Sequence, residues 1–197
     1  CPPRLYLYPS SGHPALYGEA EPGGKLSMTF PRRVGQCPIS YRHLSSGRPR
    51  TEPNPATRFK NGYQDCGNEP LFPFGFGLRY SSWELSDVSL DADSTAPNKL
   101  WNIVFTVKNT GTRHSCNTVQ LYIQDVCGSV CHPVRELKDW RTVELAAGES
   151  RRMSFTVDED MLAGITADGS VRVEPGEFRV YLGFDSQAPQ VGSFELV

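Results

Sequence analysis

At 197 residues, with 38% hydrophobic residues and a formal net charge of −2, the chain has the length and apolar content for one core of ordinary size. Neither half carries the dense basic stripe that tracks a nucleic-acid backbone, and no apolar run approaches the roughly 18 to 20 residues that span a bilayer. Six Cys, an even number, permit disulfides in an oxidising compartment without fixing any pairing.

Composition divides the chain near residue 80. Residues 1–80 hold 12 of the 16 Pro and 10 of the 18 Gly, a level typical of chains that build no core of their own. They carry a net +5 against −7 for residues 81–197, so the two halves attract, although solvated surface charge is the plainer reading. The start at Cys1-Pro2-Pro3, without an initiator Met or a charged-then-apolar leader, suits a processing point or a break inside a larger protein.

In chain order, residues 1–40 offer only short apolar pieces. Leu5-Tyr6-Leu7-Tyr8 ends at Pro9; Lys25-Leu26-Ser27-Met28-Thr29-Phe30 ends at Pro31 and reads as one buried strand. From Tyr41 to Pro70 the run Gly47-Arg48-Pro49-Arg50-Thr51-Glu52-Pro53-Asn54-Pro55 sustains neither a helix nor a central strand, which predicts an extended linker. The stretch Leu71–Tyr80 then sets Phe72, Phe74 and Phe76 among Pro73, Gly75 and Gly77. It reads as a hinge whose glycines let the rings divide between two surfaces, one of them the domain that follows.

After the hinge the period changes to two. Trp101, Ile103, Phe105 and Val107 share a face; Val119, Leu121 and Ile123 alternate with Gln120, Tyr122 and Gln124; Met153, Phe155 and Val157 alternate with Ser154 and Thr156; Phe178, Val180 and Leu182 alternate with Arg179 and Tyr181. Weaker strand patterns run over 83–90, 135–145, 170–174 and 192–197. Turn signals separate them at Asn109-Thr110-Gly111, Ala146-Ala147-Gly148-Glu149, Ala167-Asp168-Gly169 and Pro175-Gly176-Glu177. The expected fold class is all-β, an immunoglobulin or fibronectin type III-like antiparallel sandwich preceded by a Pro/Gly-rich extended segment. Asp158 suits the N-cap of a single helical turn over Glu159-Asp160-Met161-Leu162.

Catalytic motifs are absent: no G-x-S-x-G, no H-E-x-x-H, no P-loop. Asp158, Glu159 and Asp160 form the densest acidic cluster, but adjacent residues do not flank a sugar as glycoside hydrolysis requires, so capping is the expected role. Asp91-Ala92-Asp93-Ser94-Thr95-Ala96 opens like a calcium loop, yet Ala96 stands where Gly is needed and Asn102 where a bidentate Glu is needed; it reads as a polar loop. Cys127 and Cys131 with His132 offer three soft ligands and no fourth, which favours a loop disulfide or two ordinary thiols over zinc. Of Trp83, Trp101 and Trp140, the second belongs to the core and the third suits a surface role. No catalytic, cofactor-binding or metal-binding residue is assigned, and no cofactor is expected.

Several ordered motifs resemble one family. Gly24-Lys25-Leu26 through Thr29-Phe30-Pro31, Tyr41 to Gly47-Arg48-Pro49, Pro73-Phe74-Gly75-Phe76-Gly77-Leu78, and Asn109-Thr110-Gly111 followed by Val119-Gln120-Leu121-Tyr122 are similar to the C-terminal part of family 3 glycoside hydrolases, most of all its bacterial β-glucosidases. Pro133-Val134-Arg135-Glu136-Leu137-Lys138, Gly148-Glu149 and Val173-Glu174-Pro175-Gly176-Glu177-Phe178 are similar to that family's fibronectin type III-like domain. Ser27 stands where the family usually has Pro and Asp139 where it usually has Gly; Cys116, Cys127 and Cys131 are outside its pattern.

The resemblance implies that residues 1–40 are a remnant of the end of an α/β sandwich domain, residues 41–80 a linker and hinge, and residues 81–197 the fibronectin type III-like domain. It places the family's nucleophilic Asp in an N-terminal barrel and its acid/base Glu in the α/β domain, outside the matching stretches. The implied role is an accessory module bracing those catalytic domains in a retaining β-glucosidase-like enzyme, periplasmic or secreted, the chain alone being inactive. The implied partners are the catalytic domains of the same parent and carbohydrate, with no nucleic acid and no membrane. The alternative is a free-standing carbohydrate-binding or adhesive sandwich that uses Trp140.

Overall fold

A computed structural model describes residues 13–45, 62–63, 65–93 and 100–196. Seven strands make the body: β1 (Trp83–Asp93), β2 (Leu100–Asn109), β3 (Ser115–Asp125), β4 (Glu136–Leu145), β5 (Ser150–Val157), and, after a two-residue pair β6 (Gly164–Ile165) and β7 (Val171–Arg172), β8 (Gly176–Gly183) and β9 (Gln190–Leu196). One sheet has the order β1-β2-β5 and the other β4-β3-β8-β9, all pairs antiparallel, with β6-β7 a separate hairpin. The chain changes sheet between β2 and β3, between β4 and β5, and again between β5 and β8. This is the sandwich that the alternating patterns predict.

The period-two faces meet between the sheets. Trp101, Ile103, Phe105 and Val107 of β2 pack with Val119, Leu121 and Ile123 of β3, Phe155 and Val157 of β5, and Phe178, Val180 and Leu182 of β8, all in one buried cluster. Phe105 stacks on Phe155 at 5.4 Å and Trp101 on Phe194 at 4.4 Å. Each such side chain contributes about 1.5–3 kcal/mol by leaving water, a gain that the entropy lost in ordering the chain on folding largely offsets.

The turn signals have side-chain causes. Asn109 is fully buried; its Nδ2 donates to Arg113 O (2.7 Å) and Leu145 O (3.2 Å), and its Oδ1 accepts from Gly111 N (3.0 Å). Gly111 is required because a Cβ there would lie 2.8 Å from Ser81 Cα. At the short helix α1 (Glu159–Leu162), Asp158 Oδ1 accepts from Met161 N (2.9 Å), the expected N-cap, and Leu162 turns into the core.

Three local expectations are corrected. Lys25–Phe30 is not a buried strand: Met28 and Phe30 are exposed, and the stretch instead exchanges backbone hydrogen bonds with the hinge, Leu26 N to Phe76 O (2.8 Å), Gly75 N to Leu26 O (2.8 Å) and Phe30 N to Phe72 O (2.9 Å). Asp91–Asp93 do not open a loop; they continue β1 opposite Trp101 and Asn102, while Ser94–Ala96 lie outside the described residues. The pattern over 170–174 yields only Val171–Arg172, both exposed. Leu5–Tyr8 and Gly47–Pro55 also lie outside the described residues.

The flanking parts of the predicted linker are laid on other segments rather than spanning freely. Leu44 bridges Pro133, and Val134 N donates to His43 O (2.9 Å). Residues 65–70 wrap a 3-10 turn at Val34–Gln36 through Gln36 Nε2, which donates to Gly67 O (3.0 Å) and Glu69 O (3.3 Å).

Candidate functional site

The site is a seam on the outer face of the four-stranded sheet. Alternation along β3 sends Val119, Leu121 and Ile123 inward and therefore Gln120 and Tyr122 outward, yet Gln120 is only 4% exposed and Tyr122 fully buried. The hinge covers them. Gln120 Nε2 donates to Phe184 O (2.9 Å) and Gly75 O (3.4 Å), and its Oε1 accepts from the Tyr122 hydroxyl. A buried amide with both ends bonded carries little penalty, whereas leaving either end bare is costly. Gly75 meets two demands at once: its φ is +79°, and a Cβ would sit 2.7 Å from Gln120 Nε2.

Aromatic contacts extend the seam. Phe74 stacks on Tyr41 at 4.4 Å, and Tyr41 meets Tyr122 edge-on at 5.9 Å. Burial pushes the Tyr122 phenol well above its ordinary pKa, with Tyr41 and Asp185 adding to the effect and Arg135 opposing it. Phe74 O accepts from Ser186 N (2.9 Å). Phe72 and Phe76 stack on each other at 5.0 Å, away from that cluster.

Cations fasten the two sides to backbone carbonyls. Arg135 donates to Ser186 O (2.6 Å) and Ala188 O (3.1 Å) with its guanidinium 4.3 Å from the Tyr181 ring centroid. Lys25 Nζ donates to Phe184 O (2.7 Å); burial, then the neighbouring Arg79 charge, pull its pKa down to about 8, with Asp185 opposing. Arg79 donates to Cys116 O, and Glu21 Oε1 accepts from Tyr80 N (3.1 Å), Ser81 N (3.0 Å) and Ser115 Oγ (2.9 Å). Arg42 pairs with Glu136, which also holds Lys138 at 3.0 Å. Burial raises the Glu136 carboxyl, but Lys138 and Arg42 outweigh it and hold the group below its usual range. A cleft of about 540 Å³ opens beside the seam between Tyr41, His43, Glu69, Arg135 and Gln187.

The residues singled out from sequence do not converge here. Asp158, Glu159 and Asp160 serve the short helix Glu159–Leu162. Cys127 and Cys131 are exposed thiols, and His132 Nε2 faces Asp125 at 3.5 Å; among the described residues no three His, Cys, Asp or Glu side chains are grouped to share a metal ion. Trp101 is core, Trp83 Nε1 donates to Ser115 Oγ (3.3 Å), and Trp140 on β4 is 61% exposed. The three Trp therefore form no common platform. Sequence reasoning missed Gln120, Lys25 and Arg135 as seam residues. An amide and a phenol facing out of β3, a strand that carries polar residues along its length, give no local signal of the cover.

Known proteins share this fold. Residues 117–186 match the fibronectin type III-like domain (Fn3-like) family. A periplasmic β-glucosidase of Salmonella typhimurium is 38% identical over 182 residues, covering 92% of this chain and 24% of that protein. A putative β-xylosidase of Formosa agariphila is 36% identical, covering 92% and 22%. Among solved structures, a β-glucosidase from Listeria innocua in complex with glucose superposes with a TM-score of 0.82 at 37% identity, over 93% of this chain and 25% of that one. The chain thus spans about a quarter of the length of the relatives it matches. In sequence and in fold it corresponds to the C-terminal portion of family 3 glycoside hydrolases of the β-glucosidase type, including their fibronectin type III-like domain.

Proposed function

We propose that the chain is the accessory module of a retaining β-glucosidase-like enzyme and that it braces catalytic domains preceding it. In this reading residues 1–40 end an α/β domain, residues 41–80 return across the catalytic body, and residues 81–197 are the brace. The parent cleaves terminal β-glycosides through a glycosyl-enzyme intermediate, in the periplasm or outside the cell, a placement supported by the Salmonella relative's name. Among the described residues no helix is long and apolar enough to cross a membrane.

The observation that carries the reading is the seam: the outer sheet face is finished by residues from upstream, locked through Gln120 and Gly75. Exposed apolar surface supports it. Of the fifteen large apolar side chains exposed among the described residues, ten lie between Leu16 and Tyr80, including Met28, Phe30, Leu71 and Phe72. So uneven a distribution fits a segment with a second partner on its far side.

The test is a transplant. This chain replaces the corresponding portion of the Salmonella β-glucosidase, and the hybrid and the isolated chain are assayed on an aryl β-glucoside. The hybrid should hydrolyse it and the isolated chain should not. Turnover by the isolated chain that follows the protein through a second purification, or a folded hybrid without activity, would overturn the proposal. The rival, a free carbohydrate-binding module, rests on exposed Trp140; loss of β-glucan binding on Trp140→Ala would favour it.

A further inference from the structure

Independently of that function, the 3-10 turn holds a second device. Gln36 is 1% exposed, and all of its side-chain capacity is spent on holding two chain segments together. Its Oε1 accepts from Arg32 N (2.6 Å) and Arg33 N (3.2 Å), while its Nε2 donates to Gly67 O and Glu69 O. Tyr63 adds a hydroxyl bond to Gln36 O (3.3 Å), and Arg33 Nε lies 3.6 Å from Asp65 Oδ2. These contacts clamp residues 32–36 against residues 63–69. Immediately beside the clamp, one on each strand of it, stand Cys37 and Cys66, an exposed and a half-buried thiol.

We infer that Cys37 and Cys66 form a reversible disulfide that closes the loop between them. Each cysteine is one residue, about 3.8 Å of backbone, from a group held in the clamp, Cys37 from Gln36 and Cys66 from Gly67. The clamp thus holds the two cysteine-bearing segments side by side, and a bridge requires their Cα atoms to stand about 4.4–6.8 Å apart. The other described cysteines stand elsewhere: Cys116 lies within β3, and Cys127 and Cys131 in the loop between β3 and β4. The loop so closed contains Tyr41 and Arg42, which reach the sandwich at Tyr122 and Glu136. Oxidation therefore ties the seam-forming residues to a covalent ring.

With oxidised glutathione as electron acceptor, the more exposed Cys37 thiolate attacks one glutathione sulfur, forming a mixed disulfide and releasing one glutathione thiolate. The Cys66 thiolate then attacks the Cys37 sulfur and displaces the second glutathione. Two protein thiols lose two protons and two electrons, and one glutathione disulfide becomes two thiols.

The test treats the purified chain with oxidised glutathione, blocks remaining thiols with iodoacetamide and digests with trypsin without reduction. The expected product joins the peptide 34–42 to the peptide 61–79, and reduction separates them. Circular dichroism on the same samples checks that the fold is retained. Cys37→Ser should abolish the joined peptide and leave Cys66 alkylated, and only the parent chain should gain melting temperature on oxidation. Alkylation of both Cys37 and Cys66 in the folded, oxidant-treated chain, or a bridge from either to a different cysteine, would overturn the inference.

Discussion

The two buried regions of this molecule, the core between the sheets and the seam outside one of them, are built on different principles. The core is apolar and redundant: its rings and branched chains interlock, and its energy scales with the area taken from water. The seam is narrow and largely polar, one glutamine amide, one lysine and two arginines aimed at backbone carbonyls, with a glycine admitting the close approach. The contrast teaches that burial on one face of a sheet makes the domain stable, while burial on the other decides what lies against it. Hydrogen bonds there add modest net energy but penalise every misfit.

Substitutions can break that contrast in order of severity. Phe105→Ala should cost about 3–5 kcal/mol, a large share of the roughly 5–15 kcal/mol by which domains are stable, and a urea titration should show the midpoint collapse. Gly75→Ala should damage the seam in a way that Gly148→Ala does not. Both have positive φ, +79° and +74°, but a Cβ at Gly148 meets open space. The shared backbone cost is about 1–2 kcal/mol; Gly75→Ala should lose a further 1–3, approximately, by displacing the Gln120 amide. Equal losses from the two variants would show that the amide lock is unimportant.

The hinge rings sharpen the comparison further. Phe74→Ala removes a ring stacked on Tyr41 and should lower stability by about 1.5–3 kcal/mol. Phe72→Ala, which removes the exposed ring of the second pair, should stay within about 0.5 kcal/mol in this chain and harm only the transplanted hybrid. Thermal melts of both variants separate the two surfaces.

The smallest effect is electrostatic. Lys25 has its folded pKa lowered to about 8 from 10.5, so between those values the unfolded chain binds the extra proton and stability rises with pH. The gain is absent below pH 8. Above about pH 10 ionisation of the buried Tyr122 in the unfolded chain works the other way, since its folded pKa is raised. Denaturation of the parent chain and Lys25→Met between pH 7 and 10 should show an upward slope in the parent that the variant lacks.

How much of this was readable in advance follows from the range of the forces involved. Trp101 to Val107 and Phe178 to Leu182 announced their strands because each residue's burial is set by its neighbours two positions away. Asn109 and Asp158 were readable for the same reason, the partners of their side-chain hydrogen bonds lying within five positions except for Leu145. The seam was not, because Gln120 donates to carbonyls 45 and 64 positions away, and Lys25 finds Phe184 at a separation of 159. In a half-buried strand an outward Gln and Tyr look like solvent-facing residues. Lys25–Phe30 misled in the opposite sense, since its apolar side chains suggested burial while its backbone pairs only with the hinge.

The fully covered Tyr122 also fixes where such a chain can be cut and rejoined. A module exchanged at Ser81, the first residue after the hinge, would arrive with Gln120, Tyr122 and Tyr181 stripped of Gly75, Phe74 and Tyr41, presenting bare aromatic and amide surface in place of a finished face. Lineages that trade domains, and engineers who imitate them, therefore gain a working unit only when the crossover falls upstream of Glu21, whose carboxylate already holds the backbone of Tyr80 and Ser81.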